Sequence, residues 1–291
     1  MDLVVRTSRQ PEMGETIFGH HFDTFVGGKG CNQSIAASRL GAEVTIIGRI
    51  GSDVFGDQLL ELVRREHIAT DHVHRDQHNR TGIASILVDE SGDNSIVVVS
   101  GANMYLSVVD IDGAADVIRA ADVLLLQLEV PVETSLRAAD IARDAGCRVI
   151  LNPAPARDLP ERLLGLVDIL TPNQSEVTAL TGISAIDRPD DAAHALIARG
   201  VDTVIVTMGA RGALVTQGGS RFTIPAFPVS VVDTTAAGDA FSGALAVALA
   251  EGLQRVDAAR FANAAGALTC TQLGAAPSLP LRREVDRLLR M

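Results

Sequence analysis

The sequence predicts an α/β fold: a mostly parallel sheet flanked by helices, with a small second β-sheet. Two observations carry that prediction. From about residue 121 onward, short apolar runs alternate with helix-periodic stretches, the rhythm of βαβ units. Hydrophobic residues form 47% of the 291 but aromatics only 3%, so the core is built from Val, Ile, Leu and Ala, as strands buried on both faces usually are.

Taken in order, residues 3–7 and 16–26 are β-compatible around Pro11 and Gly14. Gly27, Gly28, Lys29 and Gly30 then form a glycine-rich turn, with a helix expected behind it at 34–40. Residues 81–89 and 95–100 are β-rich arms around the polar turn 90–94, which reads as a hairpin. The βαβ series follows: strand 123–128, helix 132–145, strands 148–151 and 167–170, helix 175–180 and strand 203–206. Gly146 and Gly200 fall where helices hand over to strands, as C-caps do. One domain over 1–291 is expected, with a lid sheet from approximately 3–26 and 80–103 inserted on an α/β core formed by the remainder.

A net charge of -11 argues against nucleic-acid and anionic-membrane partners, which need clustered Lys and Arg. The longest weakly polar run, 244–250, is too short to span a bilayer. The three cysteines, Cys31, Cys147 and Cys270, are scattered and form no C-x-x-C pair, which favours a reducing cytoplasm over a disulfide framework.

The strongest local signal is residues 231–239, read as a strand running into a helix with Phe241, Leu245 and Leu249 on its apolar stripe. Small residues at Ala236, Ala237 and Gly238 leave backbone N–H groups bare at a helix N-terminus, an anion hole for a phosphate. Asp239 beside them can accept a proton from a hydroxyl placed against that phosphate. Alternatively, Asp239 is an ordinary N-terminal helix acid and Gly238 a turn residue. The turn around Gly28 and Gly30 lets backbone approach a polyol, with Lys29 and Asn32 as donors; it is neither a Walker A loop nor a dinucleotide fingerprint. Asn173 and Glu176 lie just past strand 167–170, suited to a nucleotide phosphate and hydrated Mg²⁺, or simply to capping a helix. Thr207, Met208, Gly209, Ala210, Arg211 and Gly212 form another strand end where a nucleotide could rest, or a plain turn. Glu129, Asn173, Thr207 and Asp233 would thus share one edge of a parallel sheet. His67, His72, His74 and His78 lack metal-ligand spacing and read as surface residues, and Cys31 as a buried thiol.

Together, residues 27–30, Asn32, 173–176 and 233–239 resemble the signatures of the ribokinase-like (PfkB) carbohydrate kinases, and 100–103, 127–129, 151–156 and 274–278 extend the likeness along nearly the whole chain. The resemblance implies a ribokinase-like, Rossmann-type fold and ATP-dependent phosphorylation of D-ribose at its 5-hydroxyl, with deoxyribose, another sugar or a nucleoside as alternative acceptors. It implies Asp239 as base, the 236–238 backbone as anion hole, and Asp2, Gly28, Lys29, Gly30, Asn32 and Glu129 as sugar contacts. ATP would lie against Asn173, residues 207–212, Gly238, Asp239 and Asn263, and Glu176 would orient the water shell of Mg²⁺. A K⁺ ion would take oxygens from Asp233, Thr235, Thr269, Gln272, Gly274 and Ser278, and the lid would pair two subunits into a homodimer. A non-catalytic sugar or nucleotide binder is the reading from another class, disfavoured by an intact Asp239. Members of the family begin with an apolar strand ending in Asn-x-Asp. Here Met1 stands at x and Asp2 at the Asp, so the first core strand is expected to be missing and the natural start to lie upstream.

Overall fold

A computed structural model describes residues 1–291. In chain order its strands are β1 (Asp2–Thr7), β2 (Gly19–Phe25), β3 (Thr45–Gly51), β4 (Ala69–Asp76), β5 (Ile83–Val88), β6 (Asn94–Val99), β7 (Val123–Leu126), β8 (Arg148–Leu151), β9 (Ile169–Leu170), β10 (Thr203–Thr207), β11 (Ala213–Gln217) and β12 (Ser220–Ile224). The largest sheet runs β12-β11-β10-β9-β8-β7. Within it β7 to β10 are parallel, and β11 and β12 turn back antiparallel at one edge. Its middle is covered on both faces, and Ile150, Leu151, Ile169, Leu170, Val204 and Ile205 are fully buried. That double burial is why the sequence reads there as apolar runs without alternation.

Beside this sheet lies a separate pair of parallel strands. β3 and β4 pair only with each other. Yet Ile47 and Leu124 pack on one apolar cluster, and Val44 and Val123 on another. The two sheets therefore share two hydrophobic layers across a break in the hydrogen bonding. The third sheet, β2-β1-β5-β6, stands apart, with β1 antiparallel to β2 and parallel to β5.

Three local expectations change. The helix expected from residue 34 spans Lys29–Arg39, because Gly28 at φ 97 turns the chain directly into its first turn. Lys29, Gly30 and Asn32 are thus helical residues. No strand forms at 231–232: Val231 and Val232 are exposed, and the N–H groups of Val232 and Asp233 donate to Cys270 O at the end of helix Arg255–Thr269. Asp233 is therefore on a loop and not at a strand end. His74 is not a solvated surface residue either, since its Nε2 lies 3.6 Å from Asp110 Oδ1 in a half-buried corner beside Arg49.

Helix Ala237–Ala250 is buried nearly all round, lying among helix Arg255–Thr269, helix Lys29–Arg39 and β7. Gly243 makes the approach to Lys29–Arg39 possible. A Cβ there would lie 2.7 Å from Gln33 O and 2.9 Å from the Ala36 Cβ. Neither helix can yield without moving backbone, so overpacking follows. Gly243→Ala is expected to lower stability by about 1–3 kcal/mol, read as a lower urea midpoint at unchanged slope. An unchanged midpoint would show that the crossing is not limited by that glycine.

Candidate active site

Asp239 is the third residue of helix Ala237–Ala250 and is only 7% exposed. The positive end of the helix favours its charge, and two amides hold it. Asn32 Nδ2 donates to Oδ2 at 3.0 Å, and Gln33 Nε2 donates to Oδ1 at 3.1 Å. Burial pushes the Asp239 pKa up, while the Lys29 charge and then the two amides pull it back without cancelling the rise.

The turn into helix Ala237–Ala250 is strained and rich in free donors. Ala236 has φ 61, a left-handed conformation that costs a residue with a Cβ about 1 kcal/mol or more. The N–H groups of Ala236, Gly238 and Asp239 have no acceptor in the protein, and a Cβ at Gly238 would meet open space. Ala237 differs from the expectation for the anion hole: its N–H donates to Thr234 O at 3.2 Å, so the free donors flank it.

The residues expected to meet a sugar converge here. The Asp2 carboxylate fills the space where a Cβ of Gly27 would stand, at 2.3 Å from Oδ2. Glu129, beyond β7, accepts the Lys29 N–H at 3.0 Å and so caps the N-terminus of helix Lys29–Arg39. Asn32 spends its amide NH₂ on Asp239, leaving Oδ1 buried without a partner. Asp2, Glu129 and Glu176 all have pKa values raised first by burial and further by the Asp239 charge. Lys29 is the cation that draws Asp239, Glu129 and Glu176 toward their ionised forms.

On the neighbouring strand ends, Asn173 and Thr207 form an isolated parallel β-bridge just past β9 and β10. Asn173 caps helix Gln174–Thr181, its Oδ1 accepting from Glu176 N, while both Glu176 carboxylate oxygens accept from Asn173. The helix-capping alternative is thus realised in the geometry. After β10, residues 209–211 make a short 3₁₀ turn, with Met208 N donating to Gly212 O at 2.8 Å. Gly212 at φ 85 packs so tightly that a Cβ would sit 1.9 Å from Ile224 O. Asn263 donates to Pro225 O at 2.8 Å, pinning the segment that follows. Asn173 and residues 207–212 thus lie at one sheet edge, and the chain beyond Pro225 leads on to the helix N-terminus.

Asp233 organises the loop between them. Its Oδ1 accepts from Thr235 N and Thr235 Oγ1, and its Oδ2 accepts from Gly274 N at 2.8 Å. Burial raises its pKa, but these hydrogen bonds outweigh that and leave it below the ordinary value. Thr269 and Ser278 are buried, with hydroxyls donated to Ala265 O and Ala275 O, and Gln272 N donates to Thr269 O at 3.4 Å. The Asp233 carboxylate thus ties the loop to Gly274, in the segment that follows helix Arg255–Thr269. Three residues of the site escape sequence reading: Gln33, Asn152 and Gly243. Gln33 carries the one available signal, a polar side chain among the buried Ile35, Ala36 and Ala37.

Asp233→Asn should cost about 1 kcal/mol, at the low end for a charged hydrogen-bond hub because the loop is open to solvent. Because the folded carboxylate titrates below its ordinary 3.8, its contribution is present above that pH and disappears as pH falls through the folded value. Urea unfolding of both proteins from pH 7 downward should show the gap closing in acid. A gap independent of pH would rule out the charge as its source.

The family model for "pfkB family carbohydrate kinase" matches residues 1–282. A ribokinase of Haemophilus influenzae is 41% identical over 290 residues, covering 99% of this chain and 95% of that protein. A deoxyribokinase of Salmonella typhi is 38% identical over 249 residues, covering 84% and 81%. Among solved structures, Arabidopsis thaliana ribokinase complexed with ribose and ATP superposes with a TM-score of 0.93 at 34% identity, covering 100% of this chain and 96% of that one.

Proposed function

From the premise that the chain belongs to the pfkB family of carbohydrate kinases, we propose that it phosphorylates D-ribose at the 5-hydroxyl, using ATP. The observation that carries this is a buried carboxylate, Asp239, at a helix N-terminus whose N–H groups at Gly238 and Asp239 are free. Ribose as the sugar is supported by ribokinases as full-length relatives and by a ribose- and ATP-bound neighbour. The deoxyribokinase relative keeps deoxyribose as the competing acceptor.

In this reading ATP with Mg²⁺ supplies the transferable phosphoryl group and neutralises its charge. The chain does the rest. Asp239 takes the proton of the sugar hydroxyl, and the free N–H groups of Ala236, Gly238 and Asp239 face the phosphate charge. Asp2, Gly28, Lys29, Gly30, Asn32 and Glu129 hold the sugar. Asn173, Thr207 to Gly212 and Asn263 form the nucleotide shelf, and Glu176 meets the water shell of Mg²⁺. Asp233, Thr235, Thr269, Gln272, Gly274 and Ser278 offer the hard oxygens that suit K⁺, and an ion held there would brace the loop leading to Ala236. A reaction fed by ATP and a chain whose cysteines are all free fit a cytoplasmic enzyme.

Asp239→Asn should lower kcat about 10²- to 10⁴-fold while ATP binding persists. Because burial lifts the carboxylate above its ordinary 3.8, wild-type turnover should fail in acid at a higher pH than a solvated Asp would dictate. ADP release measured over pH with ribose, deoxyribose, fructose and nucleosides checks base and sugar together. Wild-type turnover by Asp239→Asn removes Asp239 from the chemistry, and a preference for deoxyribose removes ribose.

A lid made of the small sheet, pairing two copies, is supported by β6. It is an edge strand whose Ile96, Val97, Val98 and Val99 are all more than half exposed, a surface that isolated domains usually avoid. The protein should elute as a dimer in light-scattering chromatography, and Val98→Asp should shift it to monomer. A monomeric wild type would leave that strand without the proposed partner.

A further inference from the structure

We propose that Gln33 is a positioning residue for the reaction: its side-chain amide, anchored by Asn152, fixes Oδ1 of Asp239 while Asn32 fixes Oδ2, so the carboxylate meets the sugar hydroxyl in one orientation. The inference rests on Asp239 being the base. Gln33 Nε2 donates to Asp239 Oδ1 at 3.1 Å and to Asn152 Oδ1 at 3.3 Å, and Asn152 Nδ2 donates onward to Thr171 O at 3.0 Å. The chain of amides therefore ties the base to the end of β9, two residues before Asn173 on the nucleotide shelf. Thr171 Oγ1 also lies 3.3 Å from Ser242 Oγ on the Asp239 helix, closing the loop.

Two features make this more than packing. Both neighbours of Nε2 are acceptors, so the NH₂ must face them and the amide cannot be flipped. That leaves Gln33 Oε1 buried with no partner, a cost that Met or Leu of similar size would avoid. Gly243 then supplies the second feature. Its missing Cβ is what lets the Gln33 backbone reach the Asp239 helix, at the turn following the base. An otherwise unfavourable amide is thus delivered to one carboxylate oxygen by a dedicated close approach.

The charge environment explains why an amide serves there. The charged groups that interact with Asp239 are Lys29 at the start of helix Lys29–Arg39, Asp2 from β1, Glu129 beyond β7 and Glu176 from helix Gln174–Thr181, while the Cys31 thiol, pushed up to about 12 mainly by burial, stays neutral. Lys29 alone is cationic. A second cation in place of Gln33 would hold the carboxylate ionised but weaken it as a base, whereas a neutral donor orients it with less loss of basicity.

Gln33→Met removes the donor and keeps the volume. Its kcat should fall about 10- to 100-fold with KM for ATP unchanged, and the acid limb of kcat against pH should move up by about one unit. Gln33→Glu, which sets a second carboxylate beside the first, should move that limb further in the same direction. Asp239→Asn is assayed alongside. If it turns over normally, the base assignment has failed, and Gln33 with it. If it is inactive while a folded Gln33→Met keeps the wild-type kcat and limb, the base stands and the positioning role is wrong. Thermal unfolding reports folding of each variant, and failure of both Gln33 variants to fold overturns the proposal in favour of a purely structural Gln33.

Discussion

Everything around the site follows from keeping one carboxylate charged where water barely reaches it. Asp239 is buried, and burial alone would drive it neutral. A raised folded pKa also means that its charge is a cost to folding at neutral pH, a cost absent in acid where the group is protonated. What holds it ionised is distributed: a helix N-terminus, the charge of Lys29 and two amides from the adjacent helix. Each contribution requires a particular backbone placement. The sheet, the helix crossing and the glycines can be understood as the means of achieving those placements.

The parallel sheet does so by ending its strands on one edge. β7 delivers Glu129, β9 delivers Asn173 and β10 delivers Thr207, each within a few residues of the last strand position. The loop carrying Asp233 reaches the same place by another route. It hangs from the end of helix Arg255–Thr269 through Cys270 O and is clasped to Gly274 by its own carboxylate. A strand would fix this segment more rigidly. A loop held by a few polar contacts depends for its conformation on those contacts, the Asp233 carboxylate first among them.

How much of this was legible in the sequence depended on whether the signal was local. The parallel strands announced themselves as apolar runs, and helix Val132–Ala145 was readable to the residue because its periodicity and the Gly146 cap agree. Asn173 and Thr207 were visible because they sit at the ends of such runs, and Asp239 because small residues precede it at the start of an apolar helix. The start of helix Lys29–Arg39 was not, because glycines that look like a turn also permit a tight helix entry. Val231 and Val232 imitated a strand, having β-branched composition without a neighbour to pair with. Gln33, Asn152 and Gly243 stayed hidden for a different reason. Their roles exist only in contacts between segments more than a hundred residues apart, and no local pattern encodes such contacts.

Several unfavourable features collect within the same small volume. Ala236 sits in the left-handed region, Asn32 Oδ1 and Gln33 Oε1 are buried without partners, and acidic side chains outnumber the single Lys29. Simple substitutions would ease three of them: glycine at 236, an apolar residue at 33, an amide at 239. Their concentration is what a site selected for chemistry should look like, since strain and unsatisfied groups persist where function requires them. The offset comes from a sheet centre with no such compromise, where Ile150, Leu151, Ile169, Leu170, Val204 and Ile205 are wholly enclosed. Stability and function are thus divided in space, with the apolar sheet supplying the margin that the charged edge consumes.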